Sequence, residues 1–545
     1  MTDTAVIIIG AGISGVAMGH KLKHELRTDE FEIYEREEQV GGTWYINNYP
    51  GCANDIPIQL YSFSFAQRDW GSTLWATQPV IERYIQDVVK EHGLSDHIHL
   101  SHSILDANYD VAREIWTVSV KNNGTGEVYK RTCNILITAH GGLDTPRPID
   151  TPGVDTFNGK VLRSQRYDES VDITDKNVVV VGNACTATQI IAEIAPKVKS
   201  LTQFARGKQW YIPKPPNLTN YPRIQWMVEN IPGIHTFIRN LIFCATEYYF
   251  AAMYAEKGKG VRKARMEMSA NHMKNLAPAK YHNALIPDFE IGAKRRVFDD
   301  EYLKSLNTEK VDLVAERPAR ITSTGVVKQD GTEVAADVII FAIGFDTTTN
   351  KFTEHFHSNG LSIREYWRRS NVGAYLGTAL APFPNLFLLG TASPNTASGH
   401  NSVLFTAECT ANYIIRLAGP IIRAKKGSVR VTEGAEREYQ QWIREKHQEW
   451  VWVVSGVDWY THTRYRMIWE NGGAHSFYQD ENSGKNVALY PRSHTHYWWK
   501  TLIPNDDHFT FSGVSKPWLM RLTSRQALTA YGAVVAASVA TWCIM

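Results

Sequence analysis

The sequence is poor in cysteine. Six in 545 residues, Cys52, Cys133, Cys185, Cys244, Cys409 and Cys543, form no CxxC pair and have no histidine partners at metal-ligand spacing. The thiols read as small hydrophobes in a reducing compartment rather than as a disulfide or cysteine-based zinc framework. An excess of one charge is also missing. Lys and Arg number 58 against 56 Asp and Glu, a formal net charge of +2, so there is no basic footprint for nucleic acid. The first apolar strand starts by Thr4, so no leader peptide is expected. Long uncharged hydrophobic runs are lacking until the end, where Ala527 to Met545 follows Lys516, Arg521 and Arg525. As a helix this stretch reaches roughly 28 Å, about one hydrocarbon thickness. It is expected to be a tail anchor at residues 527–545 that leaves the rest facing the cytosol, with an Ala-rich helix docked on the protein as the alternative.

What is present organises the chain from its start. The apolar run Ala5-Val6-Ile7-Ile8-Ile9 meets Gly10-x-Gly12-x-x-Gly15, a helix-compatible segment follows, and Phe31-Glu32-Ile33-Tyr34 leads to Glu35, twenty residues past Gly15. Gly10 allows the tight turn, Gly12 lets backbone amides approach a pyrophosphate, and Gly15 lets helix and strand pack closely. Glu35 is placed to accept from a ribose 2′-hydroxyl and to repel a 2′-phosphate, which favours FAD or NAD over NADP. At this length two or three domains are expected.

The next residues are more specific: Gly41-Gly42-Thr43-Trp44, then Asn47-Asn48-Tyr49-Pro50-Gly51 through Asp55, and Tyr61-Ser62-Phe63. They resemble the class B flavin monooxygenases, in particular the Baeyer–Villiger monooxygenases, with Asn48 standing where the family usually has Arg. The resemblance implies an α/β fold of two Rossmann-like dinucleotide-binding domains, for FAD and NADPH, with a helical insertion. It assigns residues 1–150 to the first part of the FAD domain and 151–340 to the NADPH domain, with the insertion at about 213–292. Residues 341–525 would be the second part of the FAD domain and the C-terminal region. It also implies flavin contacts from Gly42, Thr43, Trp44 and Tyr61, and a pairing of Asp55 with a catalytic arginine. Gly292-Ala293-Lys294-Arg295 matches the segment that carries this arginine, which makes Arg295 the catalytic candidate and Lys294 a contact to an NADPH phosphate. Gly399-His400-Asn401-Ser402 resembles the segment that closes on the flavin ring, which places Asn401 there.

The linker segment Phe157-Asn158-Gly159 to Tyr167-Asp168 keeps the spacing of the family fingerprint, but its His is Arg163 and its Trp is Tyr167. The second glycine-rich turn reads Gly182-x-Ala184-x-x-Ala187, so a methyl stands at Ala184 where backbone meets a pyrophosphate. Binding there is expected to be weakened or the loop displaced. Arg206 matches the arginine that clamps the NADPH 2′-phosphate, and with Lys208 and Lys294 nearby and no carboxylate the site favours a phosphate. The alternative is a Rossmann unit that is retained but empty.

The family's chemistry runs through a C4a-peroxyflavin formed from O2. An arginine suits it because it cannot release its proton at neutral pH while it holds an oxyanion. The expected activity is therefore insertion of one oxygen beside the carbonyl of a hydrophobic ketone, a terpenoid or polyketide secondary metabolite. One rival is an FAD enzyme of the same fold with impaired NADPH use that performs hydroxylation, dehydrogenation or isomerisation. The other is a membrane-tethered flavoprotein without turnover.

Overall fold

The computed structural model describes residues 2–68, 70, 73–215, 217, 221–231, 233–299, 301–346, 354–370, 373–390, 402–451 and 490–523. Asn401, the aromatic-rich stretch from Trp452 to Trp469 and the 527–545 tail lie outside them. Two sheets carry the architecture. The first contains β1 (Thr4–Ile9), β2 (Phe31–Tyr34), β3 (Ile98–His99), β4 (His102–Asp110), β5 (Ile115–Asn122) and β6 (Val128–Thr138). The second contains β7 (Lys160–Arg163), β8 (Asn177–Val181) and β9 (Ser200–Phe204). A short ladder follows between β10 (Tyr211–Ile212) and β11 (Val297–Phe298). β12 (Val311–Val314) and β13 (Val338–Phe341) complete the second sheet, in parallel order β12-β9-β8-β13-β7. The chain then returns to the first sheet with β14 (Phe356–Ser358), β15 (Leu361–Ser362) and β16 (Leu386–Leu388), which pair onto β4, β14 and β6 respectively.

Burial follows these sheets. β1 is buried along its whole length and flanked in parallel by β2 and β6, with Val6 and Ile8 in a cluster that includes Val16 and Ala17 of the first helix, and Ile7 and Ile9 in one that includes Ala107, Trp116 and Val118 of β4 and β5. Helix α1 (Ile13–His20) starts at Gly12 and packs against the long helix α7 (Val403–Ala424). Helix α2 (Gln78–Glu91) buries Ile81, Tyr84, Ile85, Val88 and Val89, whereas Val80, at the edge of the same stripe in the first turn, is exposed. The sequence reads 104–120 as one continuous strand-like run. Asp110 breaks it, its carboxylate accepting from the backbone N–H of Ala112 and Arg113 at 3.0 Å each, and Glu114 turns through φ 56°.

Helices α3 (Cys185–Ile194), α4 (Pro222–Asn230), α5 (Ile234–Phe250) and α6 (Lys259–Leu276) lie between β8 and β11 in chain order. Two charged residues of the largely apolar α5, Arg239 and Glu247, argue against a membrane span there, and both are engaged within the protein. Arg239 is buried and donates to the carbonyls of Gln59 and Ser62 at 2.8 Å each, and Glu247 accepts from the backbone N–H of His494 and Thr495 at 3.1 and 2.9 Å. Among the described residues no helix is long and apolar enough to cross a membrane.

Candidate active site

The first glycine turn is tight because backbone crosses backbone. Gly10 sits at φ +103°, and a Cβ there would lie 3.1 Å from the Ala139 carbonyl oxygen. A Cβ on Gly15 would overlap the Gly10 carbonyl oxygen, so only glycine lets α1 approach the turn. Gly12 faces Gly42, with a Cβ position 3.4 Å from the Gly42 Cα, and Gly41 N–H donates to the Ala11 carbonyl at 3.1 Å. The Gly41-Gly42 pair and the Gly10–Gly15 turn therefore form one cradle. Thr43 and Trp44 continue from it as a short helical turn. Trp44 is buried and its indole N–H donates to the Tyr61 hydroxyl at 2.9 Å.

Glu35 closes the cradle. Its buried carboxylate accepts from Ala11 N–H at 2.7 Å and Glu37 N–H at 3.0 Å, and desolvation raises its pKa. A carboxylate has about four acceptor sites, so capacity remains for the hydroxyls of a ribose. These residues fit the adenosine end of FAD: a glycine cradle that side chains would fill, amides at a helix N-terminus, and a buried carboxylate acceptor.

The second turn repeats this plan. Gly182 sits at φ +140°, where a Cβ would overlap the Ala342 carbonyl oxygen. Ala184 caps α3 at φ −87° and ψ −172°, nearly the values of −78° and −170° at Gly12, so its methyl does not displace the loop. Past the end of β9, Arg206 is exposed, and Lys294 reaches the same place, its Nζ 3.4 Å from the Lys208 carbonyl oxygen and 4.9 Å from the centre of the Phe289 ring. Burial, and then the nearby Arg206, push the Lys294 ammonium down to about 8, with Asp288 opposing. Two cations held together this way suit a phosphate, which would relieve their repulsion.

The two units meet at Asp55 and Arg295, 240 residues apart in the chain. Asp55 is held in a turn by Asn54, whose side chain donates to the Ile56 carbonyl at 2.6 Å and accepts from Ile56 N–H at 3.0 Å. Arg295 immediately precedes Arg296 and β11. Its Nη2 lies 2.7 Å from each Asp55 carboxylate oxygen and its Nε is 3.1 Å from Oδ2. Asp55, Arg265, Lys294, Arg295 and Arg296 line a pocket enclosing about 550 Å³, part of it open solvent, together with apolar Ile56, Ala252, Met253, Ile291 and Phe298. Cys185, the first residue of α3, is close enough to feel both partners, and burial raises its thiol to about 11. Sequence reasoning took Cys185 as a plain core residue, and only its position at the head of α3 hinted otherwise.

The linker fingerprint docks on the first unit. Arg166 N–H donates to the Ile46 carbonyl at 2.7 Å, and its guanidinium reaches Glu37 at 2.5 Å. The Asn48 side chain accepts from Tyr167 N–H at 2.8 Å and donates to the Tyr167 carbonyl at 3.1 Å. Two departures from the family pattern are thus one contact. Arg163 donates to the Arg147 carbonyl at 2.8 Å. From the other side, Tyr49 donates to Gln189 of α3 at 2.9 Å, and Gln189 donates to the Ala53 carbonyl at 2.9 Å.

Residues 3–360 match the model of the flavin-binding monooxygenase-like family. The chain belongs to that family. It is 30% identical over 498 residues to a Baeyer–Villiger monooxygenase of Pseudomonas aeruginosa, covering 89% of this chain and 87% of that protein. It is 32% identical over 440 residues to the FAD-binding monooxygenase ktnD of Aspergillus niger, covering 78% and 70%. The crystal structure of cyclohexanone monooxygenase from Rhodococcus sp. Phi1 bound to NADP+ superposes with a TM-score of 0.73 at 25% identity, covering 92% of this chain and 96% of that one. The chain is therefore a flavin monooxygenase, an FAD and NADP oxidoreductase with a two-unit α/β fold.

Proposed function

We propose that this enzyme uses NADPH and O2 to insert one oxygen atom beside the carbonyl of a hydrophobic ketone, giving an ester or lactone. The observation that carries this reading is the bidentate Arg295–Asp55 contact, formed where the two nucleotide-binding units meet and facing a pocket with an apolar wall. FAD bound in the first cradle would supply electron transfer from NADPH and activation of oxygen. Gly10, Gly12, Gly15 and Glu35 would hold its adenosine diphosphate end, with Gly42, Thr43, Trp44 and Tyr61 continuing toward the ring. Gly182, Arg206 and Lys294 would hold NADPH.

The protein's own chemistry centres on Arg295. Its guanidinium keeps its protons at neutral pH, so it can stabilise charge developing on the substrate carbonyl oxygen without protonating the oxidising species. Asp55 fixes the plane of the guanidinium and balances its charge. Ile56, Met253 and Phe298 offer dry surface to the carbon skeleton, which supports a polycyclic, terpenoid or polyketide ketone. The uncharged 527–545 run with its basic flank supports attachment of the enzyme to a membrane from the cytosolic side. Removal of residues 527–545 would then release the enzyme from the membrane fraction.

Incubation with NADPH, 18O2 and a panel of cyclic and polycyclic ketones tests the activity. A product heavier by one labelled oxygen, with an ester carbonyl, is expected. A labelled alcohol, or a dehydrogenated or isomerised ketone, would favour the rival reading, which rests on the permanent cation Arg163 at a position where the family has an imidazole.

A further inference from the structure

Three histidines outside the pocket gather where α1 and α2 end. His20 is the last residue of α1, His24 lies in the π-helical turn Lys21–Glu25 that continues it, and His92 directly follows α2. One candidate ligand nitrogen from each lies within 4.8 Å of the other two. We propose that His20, His24 and His92 form a binding site for a divalent transition metal of the zinc type, one ion per chain.

The ring geometry is close to what such an ion needs. Ring centres are separated by 4.7 Å for His20 and His24, 4.8 Å for His20 and His92, and 5.5 Å for His24 and His92. A tetrahedral zinc with Zn–N near 2.1 Å sets imidazole centres about 5 Å apart. His20 is anchored, buried and stacked on Phe65 at 3.5 Å, whereas His24 is exposed and His92 half-buried, so those two can turn to complete the set.

Hydrogen bonding supports the same assignment. His24 Nε2 lies 3.0 Å from the His92 carbonyl oxygen. Donation to that oxygen leaves the Nδ1 lone pair for a metal, the usual outer-sphere arrangement of a ligating histidine. Among the described residues, His20 Nδ1 is buried without a hydrogen-bond partner. Cations close by are paired: Lys21 with Glu25, Lys23 with Asp29 at 2.7 Å, and Arg68 with Glu91 at 2.9 Å. A bound ion would tie the end of α2 to the end of α1 and stabilise the first unit by mass action.

The test is calorimetric titration of tag-free, FAD-loaded protein with Zn2+, alongside a His24→Ala/His92→Ala variant. Both substituted side chains are at least partly exposed, so retention of the flavin spectrum reports an intact fold. The parent is expected to bind one equivalent more than the variant, with Kd in the micromolar range or below, and to show a rise in Tm with zinc that the variant lacks. Equal stoichiometry and affinity in the two proteins, or no saturable binding by the parent, would overturn the proposal.

Discussion

The chain contains the same strand–turn–helix unit twice, and the two copies differ in what they demand of glycine. At the first position both need it, because Gly10 and Gly182 sit at positive φ under the carbonyls of Ala139 and Ala342. At the second position the backbone angles are nearly the same, yet Gly12 faces Gly42 while Ala184 is exposed. Glycine there serves a neighbouring loop that crosses it, whereas the methyl of Ala184 stands on an exposed residue. At the third position, Gly15 admits no side chain, whereas Ala187 buries its methyl. The ends of the second strands differ in sign, Glu35 in one unit and Arg206 with Lys294 in the other. A departure from the glycine pattern therefore means little until the atoms opposite it are known.

The largest contrast is expected at the third position. Gly15→Ala should cost more than about 3 kcal/mol through the clash with the Gly10 carbonyl and give protein largely without flavin, whereas Ala187→Gly should cost about 1 kcal/mol and leave flavin content unchanged. Thermal melts and flavin quantitation check both. A mild Gly15→Ala phenotype would erase the contrast.

The charge difference comes next. Arg206→Ala should raise KM for NADPH by roughly ten- to a hundredfold, the worth of a charge-assisted contact, remove the preference over NADH and leave kcat within about twofold. The lowered pKa of Lys294 adds a pH signature. Its ammonium is lost as pH rises through about 8, so KM for NADPH should be flat below that pH and climb above it, and Lys294→Met should remove the inflection.

The smallest effect belongs to Ala184. Because its backbone already matches Gly12, Ala184→Gly should change KM for NADPH by less than about threefold. A tightening beyond tenfold would show that the methyl does obstruct the pyrophosphate.

Sequence reached some of this and not the rest, for local reasons. The first unit was readable because strand, glycines, helix and Glu35 all lie within 35 residues. The match of the chain to its family bears out the two-unit fold, and the resemblance itself rested on residues such as Gly41-Gly42-Thr43-Trp44. The Asp55–Arg295 pair spans 240 residues, so composition and periodicity could not join it, and only the resemblance proposed it. Asn48 and Tyr167 looked like separate departures because the contact between them is made by a side-chain amide to backbone, which leaves no mark on residue type. Of the two outcomes expected from Ala184, weakened binding or a displaced turn, the second does not occur, since the sequence shows the extra methyl but not that it is exposed. The histidine cluster was half visible as His20-x-x-x-His24, but His92 comes from another helix.

The central claim is that the two units work as one couple, with NADPH in the second reducing flavin in the first. Anaerobic stopped-flow mixing of the yellow protein with NADPH tests it directly. The account predicts rapid, saturable bleaching of the flavin band, much slower with NADH, and oxidation of a ketone once oxygen is admitted. No bleaching at saturating NADPH would contradict it and leave the second unit as a retained fold without a redox partner.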